Sequence, residues 1–223
     1  MPHNLSRRSL LRALAAAPVG AVPLGLAARA QDAGLITGNV CLVAPETTAG
    51  PFYVDPGLIR RDIAEDRPGT PLTLRLQVVT PACRPIAGAR VDVWHCDAVG
   101  LYSGVISPLG DQRQATFLRG TQMTDGRGVA TFDTIYPGWY PGRTPHIHYK
   151  VFPGAGAVLT GQLFFPDSAS RQVYDTGAAY ANGAPDTPNT RDGIARRAGD
   201  AALAAVGGTT AALTADIVVG LAR

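Results

Sequence analysis

The sequence predicts an all-β fold, an antiparallel β-sandwich with long loops and little helix. Short runs rich in β-branched and aromatic residues alternate apolar with polar side chains, which is typical of half-buried strands. Turn residues separate these runs: the 223 residues include 26 glycines and 18 prolines, with no regular period. Because 46% of the residues are apolar, the chain can bury a sizeable core and is not a disordered protein. Many short strands with frequent turns favour a sandwich.

Four strands are predicted in the first half of the folded region. Residues 72–79 alternate with a period of two, and after a proline-rich turn residues 89–96 alternate again. Residues 122–124 and 129–133 flank Asp125-Gly126-Arg127-Gly128, which is typical of a hairpin turn.

Three more strands are predicted in the second half, over residues 145–152, 160–165 and 211–219. The one plausible helix covers residues 191–206, where the apolar pattern is weak. Residues 167–210 are otherwise small, polar and rich in glycine, so we expect mostly loop there. No internal repeat and no second folded domain is evident.

The first thirty residues have the pattern of a bacterial export signal. The arginine pair Arg7-Arg8 precedes a weakly apolar run over residues 10–28, which ends in the small-residue site Ala28-Arg29-Ala30. A membrane anchor is the alternative, but Pro18 and Pro23 interrupt the run and argue against a stable spanning helix. We therefore expect a twin-arginine signal that is cleaved.

Cleavage leaves residues 31–223 as one domain in the periplasm or outside the cell. The signal contains four arginines and no acid, so the mature chain has 16 basic and 17 acidic residues, a net charge near −1. A near-neutral surface gives no reason to expect nucleic acid or a membrane as a partner. Since twin-arginine export carries folded proteins, often with a cofactor, the signal favours a metal or cofactor site in the mature chain.

The three cysteines are Cys41, Cys83 and Cys96. An oxidising destination allows one disulfide. The pair Cys41–Cys83 is weakly preferred over pairs that use Cys96, because Cys41 and Cys83 both lie in loop-like sequence. Cys96 ends a predicted strand and is expected to be a buried thiol. Without a C-x-x-C spacing, a thiolate zinc site is not expected.

His146-Ile147-His148 is the sharpest chemical motif. In a strand, residues two apart point to the same face, so the two imidazoles lie side by side as a metal requires. The alternative is a pair of surface histidines without a role.

Two tyrosines, Tyr102 and Tyr140, lie in loops rich in glycine and proline near these histidines. Phenolate is a hard anionic oxygen donor and suits Fe(III) better than Zn(II) or Cu(I). Taken alone, each tyrosine could equally be a half-buried aromatic whose hydroxyl is hydrogen-bonded.

Six segments together resemble the intradiol ring-cleavage dioxygenases, and in their single-domain arrangement the protocatechuate 3,4-dioxygenase type. In the family's order they are residues 46–53 (ETTAGPFY), 85–97 (PIAGARVDVWHCD), 100–103 (GLYS), 137–141 (PGWYP), 143–148 (RTPHIH) and 161–166 (GQLFFP). Each match is weak alone, and the ordered set is strong.

The resemblance implies a non-haem Fe(III) cofactor with four ligands, Tyr102, Tyr140, His146 and His148. Tyr140 matches the tyrosinate that leaves the iron when substrate binds. Arg143 matches an arginine that stabilises negative charge on the ring, and Gln162 matches a glutamine near the substrate. The segment 47–53 resembles one that lines the substrate pocket.

The implied reaction is cleavage of a catechol-type ring by O2, with both oxygen atoms entering a cis,cis-muconate-type diacid. Two features bear on the substrate. Only two residues separate Tyr140 from Arg143, fewer than in many relatives, which predicts a more open site. A helical region of about 100 residues, the size of a small domain, does not precede the predicted sandwich, which argues against the catechol 1,2-dioxygenase branch. Self-association as a homo-oligomer stays open.

Two alternatives remain at this stage. One is a secreted, non-catalytic β-sandwich binding module, because sandwiches carry many unrelated functions. The other is an Fe(III) enzyme on the same scaffold that acts on a different or larger phenolic substrate. Among the remaining polar residues, we expect His95 to be a structural histidine, and Asp92 and Asp97 to cap turns or pair with arginine. Tyr136 is a weaker candidate ligand than Tyr140.

Overall fold

A computed structural model describes residues 34–37, 42–55, 57–154 and 158–222. The predicted export signal lies outside the described residues, as does Cys41. Cys83 is disulfide-bonded and Cys96 is a buried free thiol. In this part of the chain, no helix is long and apolar enough to cross a bilayer.

Within the residues that the structure describes, ten strands form the body of the fold. They are β1 (Pro71–Val79), β2 (Arg90–Trp94), β3 (Ile106–Ser107), β4 (Gly110–Asp111), β5 (Arg119–Met123), β6 (Val129–Ile135), β7 (His146–Phe152), β8 (Leu159–Phe164), β9 (Ala205–Thr209) and β10 (Ala212–Gly220). One sheet has the order β6-β1-β10-β9 and the other the order β5-β2-β7-β8, while β3 and β4 form a separate short ribbon.

The predicted β-sandwich is confirmed, with one departure from antiparallel pairing. The first strand, β1, runs parallel to the last, β10, whereas the other pairs are antiparallel. Parallel strands need a long connection, and here the connection contains the whole second sheet. The sequence pattern of either strand alone carries no information on this direction.

The two sheets pack face to face through one hydrophobic core. Alternate residues of β1, from Leu72 to Val78, point inward and meet Ile147, Tyr149 and Val151 of β7 in the same cluster. Because side chains alternate along a strand, this packing turns His146 and His148 to the opposite face of β7. The core therefore fixes where the two histidines point.

The fold contains little helix, as predicted, but the positions and lengths of the helices differ from the prediction. Helix α1 (Asp167–Thr176) lies in the stretch expected to be loop, and it buries Ser170, Val173 and Tyr174 with helical spacing. The predicted helix over residues 191–206 is too long: α2 (Gly193–Ala198) ends at Gly199, which has a φ of 63°, and a 3₁₀ turn and β9 follow. A glycine at positive φ is a common helix terminator.

Candidate metal centre

The four predicted ligands come together beside the second sheet. His146 and His148 are both buried, and their ring centroids lie 4.8 Å apart. Tyr102, in the loop after β2, has its ring centroid 6.3 Å from that of His148 and 6.0 Å from that of Tyr140. Tyr140, in the loop before β7, lies 5.6 Å from His146 by the same measure. Two loops and one strand thus bring four aromatic donors into one cluster.

Register across the second sheet explains why these side chains meet. Strand β7 is central, and His148 pairs with Trp94 of β2 on one side and with Gln162 of β8 on the other. Arg119 of β5 is the next residue in the same row, opposite Trp94. A single register therefore aligns Arg119, Trp94, His148 and Gln162 across four strands.

Hydrogen bonds fix the tautomer of His146. Its Nδ1 lies 2.7 Å from the Thr144 carbonyl oxygen, which only accepts, so Nδ1 carries the proton. Its Nε2 then carries a lone pair, which accepts from the Tyr140 hydroxyl at 3.2 Å. Backbone anchoring of the distal ring nitrogen is typical of metal-binding histidines.

Two donor atoms of the cluster are buried without a partner. His148 Nδ1 forms no hydrogen bond, and the Tyr102 hydroxyl, although close to that of Tyr140, has no partner at hydrogen-bond geometry. Buried polar atoms are almost always paired, so such atoms require an explanation. Two phenol oxygens and two imidazoles are hard and borderline donors that fit Fe(III), and the cluster therefore fits the implied metal.

Without a metal, burial holds all four groups neutral. Burial, with Arg143 nearby, lowers the pKa of His146 to about 3, and burial lowers the pKa of His148 as well. Burial also raises the pKa of both Tyr102 and Tyr140 above that of a free phenol. A bound cation reverses this balance, since it favours phenolate over phenol.

No conventional metal site competes with this cluster. Among residues 34–37, 42–55, 57–154 and 158–222, no group of three or more His, Cys, Asp or Glu side chains is arranged to hold a metal ion.

Arg143 and Gln162 lie beside the cluster, as the resemblance implies. Arg143 Nη1 is 3.4 Å from both the Tyr140 hydroxyl and His146 Nε2. Its Nη2 donates to Gln162 Oε1 at 2.6 Å, and Gln162 Nε2 donates to the Thr48 carbonyl at 2.9 Å. The guanidinium is therefore held next to the hydroxyl of Tyr140.

Asp192 is a site residue that the sequence did not reveal. Its Oδ2 accepts from Arg143 Nε at 2.7 Å and from the Thr144 amide at 3.0 Å. Its Oδ1 caps α2 by accepting from the amides of Ile194 and Ala195. An aspartate before a helix is a recognisable capping signal, but its contact with an arginine 49 residues away is not.

Aromatic residues enclose two of the predicted ligands. Phe52, in the segment predicted to line the pocket, stacks on Tyr102 with centroids 4.5 Å apart. Trp94 stacks on His148 at 4.8 Å with an interplanar angle of 11°. Such rings hold the ligands in place and keep water away from them.

Arg119 was also missed by the sequence analysis. It is only 2% exposed, and its hydrogen bonds all go to Ser103, which follows Tyr102. No carboxylate pairs with it in the described part of the chain, and its Nη1 has no partner. Burial lowers the pKa of Arg119 to about 10, so it remains charged at neutral pH. This guanidinium fixes the backbone next to Tyr102.

The residues expected to be structural form their hydrogen bonds and ion pairs with partners outside the cluster. His95 contacts the Cys96 carbonyl and the Thr134 hydroxyl, both at 2.8 Å. Tyr136 is in the core, with its hydroxyl 2.7 Å from that of Ser170. Asp92 pairs with Arg90 at 2.8 Å, and Asp97 accepts from two backbone amides of the turn that follows it. Tyr136 is therefore not a member of the cluster.

A cavity of about 420 Å³ opens next to the cluster. The residues that line it include Tyr102, Tyr140, Phe52, Trp139, Leu109 and Asn182. Tyr140 is half-buried, whereas Tyr102 is 1% exposed. Tyr140 is thus the more accessible of the two tyrosines.

Comparison with known sequences shows that this chain is similar to dioxygenases. A family model described as "Dioxygenase" matches residues 47–179. Catechol 1,2-dioxygenase 1 of Acinetobacter lwoffii is 30% identical over 142 residues, which cover 53% of this chain and 45% of that protein. The protocatechuate 3,4-dioxygenase beta chain of Burkholderia cepacia is 32% identical over 127 residues, or 50% and 54% of the two chains. The chain thus spans about half the length of the curated relatives it matches, and similarity does not separate the two branches.

Solved structures show the same relationship. An intradiol ring-cleavage dioxygenase from Tetranychus urticae superimposes with a TM-score of 0.75 at 32% identity, covering 81% of this chain and 94% of that one. The dioxygenase domain of a carbohydrate-binding fusion protein from Streptomyces sp. SirexAA-E gives 0.61 at 30% identity, covering 81% and 100%. The similarity therefore extends over most of the described sandwich.

Proposed function

The chain belongs to the intradiol ring-cleavage dioxygenase family, and from this premise we propose that it cleaves a catechol-type ring between the two hydroxyl-bearing carbons. The oxidant is O2, and the product is a cis,cis-muconate-type diacid. The single observation that carries the proposal is the pair of buried donor atoms without partners, Tyr102 Oη and His148 Nδ1, within a cluster of four aromatic donors.

The proposed cofactor is non-haem Fe(III), held by the four residues Tyr102, Tyr140, His146 and His148. When bound, Fe(III) supplies Lewis acidity and draws electron density from a coordinated catechol. The two tyrosine ligands, Tyr102 and Tyr140, would have different environments. Tyr102 is enclosed by Phe52 and has no access to solvent, which favours a permanent ligand.

Tyr140 is suited to a second role as a base. It lines the cavity, and Arg143 Nη1 lies 3.4 Å from its hydroxyl. A phenolate at this position can leave a metal and accept a proton from an incoming catechol hydroxyl. The adjacent guanidinium, 3.4 Å away, stabilises negative charge on whichever oxygen occupies the site.

Arg143 would act as a fixed electrostatic group. Asp192 and Gln162 hold its Nε and Nη2, so only Nη1 faces the Tyr140 hydroxyl. A guanidinium held in this way stabilises developing charge without reorganising, which is how preorganised donors accelerate reactions. Gln162 is in turn fixed by the Thr48 carbonyl.

Isotope labelling tests the proposed reaction directly. The iron-loaded protein is incubated with catechol and ¹⁸O2, and the product is identified by mass spectrometry. We expect a ring-opened diacid that contains two labelled oxygen atoms. A product with one label or none would contradict the insertion of both oxygen atoms, and no product at all would favour the non-catalytic binding module.

A matched pair of variants links the reaction to the site. Tyr102→Phe removes a buried, unpaired hydroxyl from the cluster, and we expect activity to be lost. Tyr149→Phe removes another buried, unpaired hydroxyl, from the core face of β7, and we expect activity to be retained. Equal loss in both variants would assign the effect to packing and not to a ligand.

We also propose that the protein is exported before it acts. The arginine pair at positions 7 and 8 supports this step. Cell fractionation of the full chain should find the protein outside the cytoplasm, and Arg7→Lys with Arg8→Lys should retain it inside. Cytoplasmic location of the unaltered chain would overturn this proposal and leave the proposed chemistry unaffected.

A further inference from the structure

The cavity next to Tyr140 is apolar beyond the tyrosine hydroxyls. Its wall includes Phe52, Val99, Pro108, Leu109 and Trp139. Among the described residues, no charged side chain lines it, and the polar side chains other than tyrosine are those of Ser107 and Asn182. A ligand that extends from the cluster into this space therefore meets carbon surface and no cation.

The apolar wall continues to the protein surface. Val99 is 39% exposed and Leu109 is 59% exposed, although both border the cavity. Covering apolar surface of this kind contributes roughly 25 cal/mol per Å². An apolar group on the ligand would gain this binding free energy by covering the wall, whereas a charged group would not.

Nearby cations are already engaged by the protein. The charge of Arg143 is balanced by Asp192, which is 1% exposed, at 2.7 Å. Arg119 is turned toward the Ser103 carbonyl and does not border the cavity. Among the described residues that line the cavity, none offers a carboxylate a positive partner, and burying an unpaired carboxylate is costly.

We propose that this cavity selects catechols with an uncharged, apolar substituent over catechols that carry a carboxylate. Its volume of about 420 Å³ lies within the roughly 300–1,000 Å³ of sites that hold drug-sized ligands, so it accommodates a substituent in addition to one ring. The inference rests on the proposed function, because it assigns the substrate class of the same site. Leu109, at the rim, is its main specificity-determining residue.

Anaerobic binding of two catechols tests the selection. The visible absorption band of the iron-loaded protein is titrated with 4-tert-butylcatechol and with 3,4-dihydroxybenzoate, without O2. We expect the Kd of the tert-butyl compound to be at least tenfold lower. Equal affinities, or tighter binding of the carboxylate, would overturn the inference while the proposed function stands. Absence of any band shift with either compound would overturn both.

Substitution at the rim provides the second test. Leu109→Arg places a cation at an exposed position of the wall, so we expect it to lower the Kd of 3,4-dihydroxybenzoate about tenfold and to raise that of 4-tert-butylcatechol. Leu109→Gln is the matched control: it removes apolar surface without adding charge, so only the tert-butyl compound should lose affinity. If both variants bind both compounds as the unaltered protein does, Leu109 does not determine specificity. The same titration, repeated as kcat/KM in the presence of O2, should show the same order of preference.

Discussion

Arg143 pairs with the buried carboxylate of Asp192, with Nε and Oδ2 2.7 Å apart, and the pair joins the loop before β7 to the start of α2. The same carboxylate caps the helix and holds the Thr144 amide, and the Thr144 carbonyl accepts from His146. One side chain thus positions both the guanidinium and a predicted ligand. The C-terminal part of the chain therefore contributes to the site, although the four predicted ligands precede it.

Replacing Asp192 by Asn separates its two roles. Asn still caps a helix, but it cannot balance the charge of Arg143. We expect kcat/KM for catechol to fall about 10- to 100-fold, as is typical when a partner of a metal-site residue is removed. The free energy of unfolding should fall by about 3 kcal/mol, because a guanidinium loses its buried partner. Steady-state kinetics and urea denaturation measure both effects.

The control for this variant is Asp200→Asn, which changes an exposed aspartate in the 3₁₀ turn after α2. We expect it to leave both quantities unchanged. Full activity in Asp192→Asn would show that the ion pair does not position Arg143 for the reaction.

Removing the Tyr140 hydroxyl tests the role of the more accessible tyrosine. Tyr140→Phe should retain some iron through the other three residues, with an altered visible spectrum and slower turnover, because the proposed base is missing. Iron content and absorption spectra measure the effect. Tyr53→Phe is the control, since the Tyr53 hydroxyl bonds to Asp92 and not to the cluster. An unchanged spectrum and rate in Tyr140→Phe would remove this residue from the site.

We expect His95 to make the protein less stable in acid. Burial lowers its pKa to about 4, whereas an unfolded histidine has a pKa of 6.5. Between these values the unfolded chain binds more protons, so stability is lost as pH falls from 6.5 toward 4. The loss from this one group is about 3 kcal/mol.

Urea denaturation at pH 7 and pH 4 measures this effect in the unaltered protein and in His95→Gln. Other groups contribute to both proteins alike, so the difference between them isolates His95. We expect the unaltered protein to lose about 3 kcal/mol more than the variant. Parallel losses in the two proteins would show that His95 is not the group responsible.

Gly161 is required by the pairing of β7 with β8. It lies opposite Tyr149, and a Cβ at this position would come within 2.1 Å of the tyrosine ring. Gly161→Ala should therefore lower the free energy of unfolding by about 2 kcal/mol or more. It should also weaken iron retention, because the adjacent pair His148–Gln162 would be displaced.

Gly126→Ala is the matched control for this substitution. A Cβ there meets no heavy atom within 4 Å. Thermal denaturation should place the two variants well apart, and similar stabilities would contradict the close contact between Gly161 and Tyr149.

Local patterns predicted most of the fold. Alternation over residues 72–79 and 145–152 identified strands β1 and β7, because side chains on opposite faces of a strand have different environments. Helix α1 was missed because its residues are mostly small and polar, and only Ser170, Val173 and Tyr174 face the core. The parallel pairing of β1 with β10 depends on chain direction over the whole fold, which no local pattern records.

The residues of the candidate site also fall into two groups, those that a local pattern predicted and those that it did not. A two-residue spacing in a strand was sufficient to place His146 and His148 on one face. Nothing in the sequence near Asp192 indicates that its carboxylate reaches Arg143, and the burial of Arg119 without a carboxylate is a tertiary feature. Residues that position others therefore became visible only in three dimensions.

The central claim is that Tyr102, Tyr140, His146 and His148 bind Fe(III) and present it to a catechol. The most direct test is the visible absorption spectrum of the purified, iron-loaded protein before and after catechol is added without O2. Phenolate bound to Fe(III) gives a strong charge-transfer band, so the protein should be reddish, the band should shift with catechol, and Tyr102→Phe should weaken it. A protein that stays colourless after iron loading would contradict the account.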